Sequence, residues 1–390
     1  MISTPIEPAL FRGGAILEPA AHGLRPHRLP SWVREQFPDP QLLMVESQPS
    51  GIRLSFRSTA QRIELTVHPT RVVYRGADRA RGCVDLFVDG EFQARDTLCG
   101  GDAVTVDLSD GTTGFVPGTS HVSVFTGLPA PDKRIEIWLP HNETVDLVAL
   151  RSDAPLVPVH EALPVWMHHG SSISQGSNAA APSDTWPAVA ARFARVDLRN
   201  LGFGGSAMAE PFMARVIRDS PADIISVALG INVVNADAMR LRAFVPAVHG
   251  FLDTIRDGHP HTPLVLVSPV FTGIHETTPG PGAFDPATIG TDQVGFIATG
   301  DPGDVAAGAL TLQVIRRELA SVVERRSADP HLHYLNGLHL FGSDDASRLP
   351  PKDGLHPDGE AHQLIGRRFA DTLLRVGGGV PPFAAAYSSS

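Results

Sequence analysis

Between about residue 40 and residue 150, apolar and polar positions alternate with a period of two. Ile52, Leu54 and Phe56 form one such row, Ile63, Leu65 and Val67 a second, and Ile135, Ile137 and Leu139 a third. Alternation puts every apolar side chain of a strand on one face, which is then free to close on another sheet. Asp89-Gly90 and Asp110-Gly111 supply the left-handed residues that tight hairpins need. Many short strands with almost no helical periodicity predict an antiparallel β-sandwich, jelly-roll-like in type, over residues 1–158.

The stretch from Arg151 to Leu163, with Pro155, Pro158 and Pro164 in or beside it, reads as a linker. Beyond it short apolar runs alternate with segments of helical period. Strands are expected at 165–168, 196–200, 224–229, 264–268 and 333–335. Helices are expected at 188–195, capped by Ser183 or Asp184, at 206–218, at 238–256 with a kink at Pro246, at 304–326 and at 360–375. Strands alternating with helices predict a parallel sheet covered on both faces, with function at the carboxyl ends of its strands. Residues 159–380 are assigned to this α/β domain and 381–390 to a disordered tail. From Thr272 to Gly303 prolines and glycines interrupt the pattern, and the segment reads as a long loop over the site.

Length and composition agree with two soluble domains: 390 residues, 42% hydrophobic and 19% charged. The net charge is −10 and the only lysines are Lys133 and Lys352, so no basic stripe exists to meet a phosphate backbone and nucleic acid is not expected as a partner. Cys83 and Cys99 are expected to stay reduced thiols. The first twenty residues carry Pro5, Glu7 and Pro8 instead of a basic start and an apolar run, and no apolar span reaches bilayer length. A cytoplasmic protein without a membrane partner is the expectation, its oligomeric state left open.

Four short segments end predicted strands or precede the last helix. His169-Gly170-Ser171-Ser172 sets serines on a glycine-rich turn, where a hydroxyl can project as a nucleophile. Asn200 to Ser206 contains Gly202, Gly204 and Gly205, which let backbone N–H groups approach a ligand. Leu229-Gly230-Ile231-Asn232 puts a side-chain amide just past a buried strand. Asp353-Gly354-Leu355-His356 spaces a carboxylate and an imidazole so that one turn joins them, the base and orienter that an un-ionised hydroxyl requires. Each segment alone is equally a turn or a helix cap.

In order and placement the four resemble the blocks of the SGNH hydrolase superfamily, or GDSL esterases: G-D-S, a glycine block, G-x-N-D and a terminal D-x-x-H. The resemblance covers about residues 160–376 and implies a flavodoxin-like three-layer α/β fold. It also implies Ser172 as nucleophile, His356 as general base, Asp353 as its orienter, and an oxyanion hole from the N–H groups of Ser172 and Gly205 and the amide of Asn232. Two positions depart from the pattern: Ser171 and Val233 each replace an aspartate, and Ser171 stays a rival nucleophile. Gly82 to Phe87 is similar to the G-x-D-L-Y signature of a sandwich that precedes some of these hydrolases. The pairs His168-His169, His259/His261 and His331/His333 lack the carboxylate or cysteine spacing of a zinc site, so neither metal nor cofactor is expected. The implied activity is hydrolysis of a carboxylic ester of a small or medium acyl group, on a small-molecule or carbohydrate substrate. Acyl transfer to an alcohol by the same serine is the nearest alternative, and a sugar-binding protein with an inert second domain is the alternative from another class.

Overall fold

A computed structural model describes residues 1–75, 79–107, 110–159, 162–291 and 294–376. The tail assigned to 381–390 lies outside the described residues. The chain forms two compact units, the first of Met1–Ala162 with the short segments Ala181–Ser183 and Gly290–Asp292, the second of the rest.

The first unit is a pair of sheets. One holds eight strands and is centred on Arg62–Arg75 and Thr144–Ser152; the other holds six and is centred on Arg53–Ser58, Lys133–Trp138 and Cys83–Val88. The three rows read from the sequence meet in one core: Ile52, Leu54, Phe56, Ile63, Leu65, Val67, Ile135, Ile137 and Leu139 are all buried in a single cluster. Each contributes about 1.5–3 kcal/mol of transfer free energy. The hairpin at Asp89-Gly90 is present, with φ of 50° and 88°. Gly111, at φ 73°, leads into the strand Thr113–Val116.

Pairing departs from the antiparallel expectation at one place. Arg62–Arg75 runs for 14 residues and outreaches its antiparallel partner His121–Thr126, which covers only residues 62–67. Its second half is paired in parallel by Asp102–Asp107, with Thr70 opposite Asp102. Two short helices, Ser31–Gln36 and Pro40–Glu46, also escaped the period-two reading; Asp39 caps the second by accepting from the Leu42 N–H. Both cysteines are free thiols.

In the second unit we number five strands: β1 (Val165–Gly170), β2 (Asp197–Gly202), β3 (Ile224–Ala228), β4 (Leu264–Val267) and β5 (Leu332–Leu335). All neighbours are parallel and the spatial order is β2-β1-β3-β4-β5, the flavodoxin-like order. The helices are α1 (Ser172–Gln175), α2 (Trp186–Ala194), α3 (Pro211–Arg218), α4 (Ile231–Asn235), α5 (Leu241–Gly258), α6 (Leu312–Arg325), α7 (Ser343–Arg348) and α8 (Gly359–Val376). Helix α2 packs on α8, while α3 packs on α5 and α5 on α6. Reversal of direction after β2 puts these two groups on opposite faces, giving three layers. Among the described residues no helix is long and apolar enough to cross a membrane.

Several boundaries differ from the sequence reading for local reasons. Helix α3 starts at Pro211 instead of Ser206, because Ala209 sits at φ 60° and proline forces Glu210 into an extended conformation. Residues 182–184 form a 3-10 turn, so α2 begins at Trp186 behind Thr185, not behind a Ser183 or Asp184 cap. Helix α5 begins at Leu241 and runs through Pro246. The single helix expected from Asp304 is two elements, a 3-10 turn over Pro302–Ala307 closed by Gly308 at φ 91° and then α6, capped by Thr311. The segment from Thr272 to Gly303 contains a hairpin of Gly282–Phe284 and Phe296–Ala298, so it is partly ordered by its own pairing.

The sheet is locked to the α2/α8 layer by aromatic rings. Trp166 of β1 stacks on Phe369 of α8 at 5.1 Å, and Trp186 of α2 meets the same ring at 5.0 Å. Phe369→Ala leaves a void between two tryptophans, and we expect a loss of about 3–5 kcal/mol, read as a lower denaturant midpoint with an unchanged m-value.

Candidate active site

Strand β1 ends at Gly170, and the chain turns at once into α1. Ser171 caps that turn: its hydroxyl accepts the Ile173 N–H at 3.2 Å. Ser172 follows as the first helical residue and directs its Oγ to His356 Nε2, 2.9 Å away. The two adjacent serines are thus differently engaged, one with its own backbone and the other with an imidazole.

The turn carrying Ser172 is fastened from below. Asn200 Nδ2 donates to the Ser174 carbonyl at 2.9 Å, and Gln175 Oε1 accepts the Gly204 N–H at 2.8 Å. His168 lies under the turn, with Nε2 2.7 Å from Ser174 Oγ and Nδ1 2.7 Å from Ser226 Oγ. Burial drives the His168 imidazole down to about 3, helped by its neighbour His169, so the ring is neutral and donates to one hydroxyl while accepting from the other. Strand and turn approach so closely that a Cβ on Gly202 would lie 2.5 Å from the Gln175 nitrogen. Only glycine fits there.

His356 and Asp353 come from the loop before α8. Asp353 Oδ1 accepts the N–H groups of Leu355 at 2.9 Å and His356 at 2.7 Å, which closes the turn, and Oδ2 receives His356 Nδ1 at 2.7 Å. Asn178 Nδ2 donates to the same Oδ2 at 3.0 Å. Burial alone would raise the Asp353 carboxyl; the His356 ring and these backbone donors outweigh it and hold the group below its ordinary range. The aspartate is therefore an anion at neutral pH, facing an imidazole whose other nitrogen meets the serine hydroxyl. Such a chain can take a proton from the hydroxyl as it attacks.

Three potential donors of an oxyanion hole follow the carboxyl ends of adjacent strands. Ser172 follows β1, Gly205 follows β2 and Asn232 follows β3. Among the described residues the N–H groups of Ser172 and Gly205 enter no hydrogen bond, and Gly205 reaches its position at φ 71°. Asn232 is buried, and its Oδ1 accepts the Ala207 N–H at 3.2 Å, which leaves its amide N–H groups as the outward donors. A cavity of about 40 Å³ lies against Ser171, Ile173, Trp186, Leu229, Ile231 and Pro269, and Ser172, Gly205, Asn232 and His356 are not among its lining residues.

Two residues at the site were not singled out from the sequence. Asn178 sits at φ 65°, a conformation asparagine tolerates better than most, and that preference is the one signal it carried. Phe296, from the hairpin within the Thr272–Gly303 segment, stands edge-on to His356 at 5.7 Å, and its N–H donates to the Asp353 carbonyl at 2.8 Å. The histidine pairs go elsewhere. His169 points away from His168 to the Leu201 carbonyl, and His259 is held by the carbonyls of Ile217 and Ser220.

The sequence pattern of the GDSL-like lipase/acylhydrolase family matches residues 169–364, half of the chain and every segment just described. The chain belongs to that family. It is accordingly an SGNH-type ester hydrolase, and the two departures from the family pattern are structural: Ser171 caps α1, and Val233 is wholly buried. Among solved structures it is similar to a salicylyl-acyltransferase from a tetracycline biosynthetic pathway, at 27% identity and TM-score 0.78, over 98% of each chain. A protein assigned as a GDSL-like lipase from Bacteroides ovatus shares the fold at 19% identity and TM-score 0.65, over 94% of this chain and 95% of that one. So does a family two carbohydrate esterase from Clostridium thermocellum, at 14% identity and TM-score 0.55, over 84% and 92%. No curated protein sequence matches the chain significantly.

In the segment after Gly205, burial pushes the Glu210 carboxyl up to about 7, although the Met208 N–H donates to it at 2.9 Å. Between the ordinary glutamate value and 7 the folded protein holds a proton that the unfolded chain has released, so stability falls as pH rises through that window. Glu210→Gln should remove this slope. We expect it to match the parent near pH 4.5 and to exceed it by about 1–2 kcal/mol at pH 8, the shift being discounted for partial exposure; parallel unfolding curves at the two pH values check this.

Proposed function

We propose that the protein is a serine esterase acting through an acyl-enzyme. Ser172 Oγ attacks the ester carbonyl while His356 Nε2 takes its proton; Asp353 holds the imidazole in the required tautomer and balances the positive charge that forms. Charge gathers on the carbonyl oxygen as the tetrahedral intermediate forms, and the N–H groups of Ser172 and Gly205 with the Asn232 amide receive it there. Binding that oxygen more tightly than the ground-state carbonyl lowers the barrier. His356 then returns the proton to the leaving alcohol, and water repeats the sequence to release the acid.

The observation that carries this reading is the unbroken chain from Ser172 through His356 to Asp353, with separations of 2.9 Å and 2.7 Å. The substrate class that fits is an ester of a small-molecule or carbohydrate alcohol.

Acyl transfer is a second reading, supported by the 27% identity to a salicylyl-acyltransferase along nearly the whole chain. Both reactions share the acyl-enzyme and differ only in whether water or an alcohol accepts the acyl group.

A panel of acetyl, butyryl and longer-chain esters tests the proposal. Ser172→Ala should reduce kcat by a factor of about 10³ or more, and Asn232→Ala should cost about 10²–10³ in kcat/KM. Ser171→Ala should keep most of the turnover and lose about 1 kcal/mol of stability as a cap. Undiminished turnover by Ser172→Ala would defeat the assignment. Product analysis with a sugar or phenolic alcohol present separates transfer from hydrolysis.

A further inference from the structure

On the outer face of the eight-stranded sheet, three side chains distant in sequence converge. His68 lies on the strand Arg62–Arg75 with its neighbours Ile63, Leu65 and Val67 turned into the core, so its own side chain belongs to the solvent side. It is nevertheless only 3% exposed, because the His22 ring lies against it with centroids 3.6 Å apart. His22 stands in the turn between Ile16–Pro19 and Leu24–His27, and that turn is tied down by the His22 N–H donating to Asp146 at 3.4 Å. Asp102 opens the parallel-paired strand, opposite Thr70, and brings its carboxylate alongside both rings.

The three residues offer two imidazole nitrogens and a carboxylate, a donor set that metal sites use. His68 Nδ1 is engaged by Ser120 Oγ at 3.2 Å, which leaves Nε2 as the free ligand atom. That Nε2 is buried and pairs with Asp102 Oδ1 at 3.1 Å outside good hydrogen-bond alignment; Oδ1 also accepts the Gly118 N–H at 3.0 Å, so Oδ2 is the oxygen left towards His22. A donor and acceptor so close but out of alignment fit the edge of a coordination polyhedron, since metal bonds of about 2.0–2.2 Å set ligand atoms about 3–3.5 Å apart. His22 Nε2 is 3.9 Å from Asp102 Oδ2, and the ligand atoms of the three residues all fall within 4.8 Å of one another. Among the described residues this is the one cluster of three or more such groups.

We propose that His22, His68 and Asp102 bind a divalent transition-metal ion of the zinc type, with water completing the coordination. Two imidazole nitrogens and one carboxylate oxygen select zinc, nickel or cobalt over calcium or magnesium. Stacked rings cannot both point their nitrogens at one ion, so His22 turns off the face of His68 on binding; its side chain, 44% exposed, has the room. The ion would pin the His22 turn to two strands of the sheet. The site lies wholly in the first unit and takes no part in the Ser172 chemistry. Sequence spacing hid it, because its three ligands are contributed by residues 22, 68 and 102 on separate elements.

Calorimetric titration of zinc chloride into the untagged, chelator-treated full chain tests the proposal, with melting temperature as a second readout. We expect one zinc ion per chain and a rise in melting temperature that magnesium does not reproduce. His22→Ala, on an exposed turn where the fold is spared, and Asp102→Asn should each weaken binding by about tenfold or more; His68→Gln should abolish it. Absence of saturable binding by the parent protein, or binding unaffected by His22→Ala and Asp102→Asn, overturns the site. Should His68→Gln fail to fold, the other two variants decide.

Discussion

Parallel strands all end on the same edge of their sheet, and the candidate site depends on that constraint. Because β2, β1 and β3 are neighbours running one way, the turns after Gly170, Gly202 and Ala228 emerge side by side. Each turn needs to supply only one group, a hydroxyl, a backbone N–H or an amide. Helix α8 then returns across the sheet, and the loop before it delivers the imidazole and carboxylate to that edge. The packing of Trp166, Trp186 and Phe369 joins the sheet to the helix that follows those loops.

Electrostatics finish what topology begins. Asp353 is surrounded by donors from its own turn, from Asn178 and from His356, so its negative charge survives burial. His168, buried with no carboxylate partner, takes the opposite course and stays neutral. The aspartate beside His356 and the histidine beneath the Ser172 turn thus serve different ends, the first as a charge and the second as a rigid spacer between hydroxyls.

Much of the architecture was legible in the amino-acid order because it rests on periodicity. The rows through Leu54, Leu65 and Ile137 marked the sandwich core, and the alternation after Val165 marked the parallel sheet. Ser172, Asp353, His356, Gly205 and Asn232 could be picked out because each sits in a short block next to an element end. Less legible was whatever depended on tertiary partners. The parallel pairing of Asp102–Asp107 follows from one strand outrunning another, and the shift of α3 to Pro211 follows from a left-handed Ala209. Asn178 and Phe296 reach Asp353 and His356 across the fold, so nothing in their immediate surroundings advertised them.

The hydrogen bond between Ser172 and His356 spans 184 positions of the chain. Neither residue has the other within local reach, so the contact is held by the packing of strands, crossovers and final helix and not by the turn that carries either one. An activity that runs through this pair would therefore report on tertiary assembly, where circular dichroism reports on secondary structure.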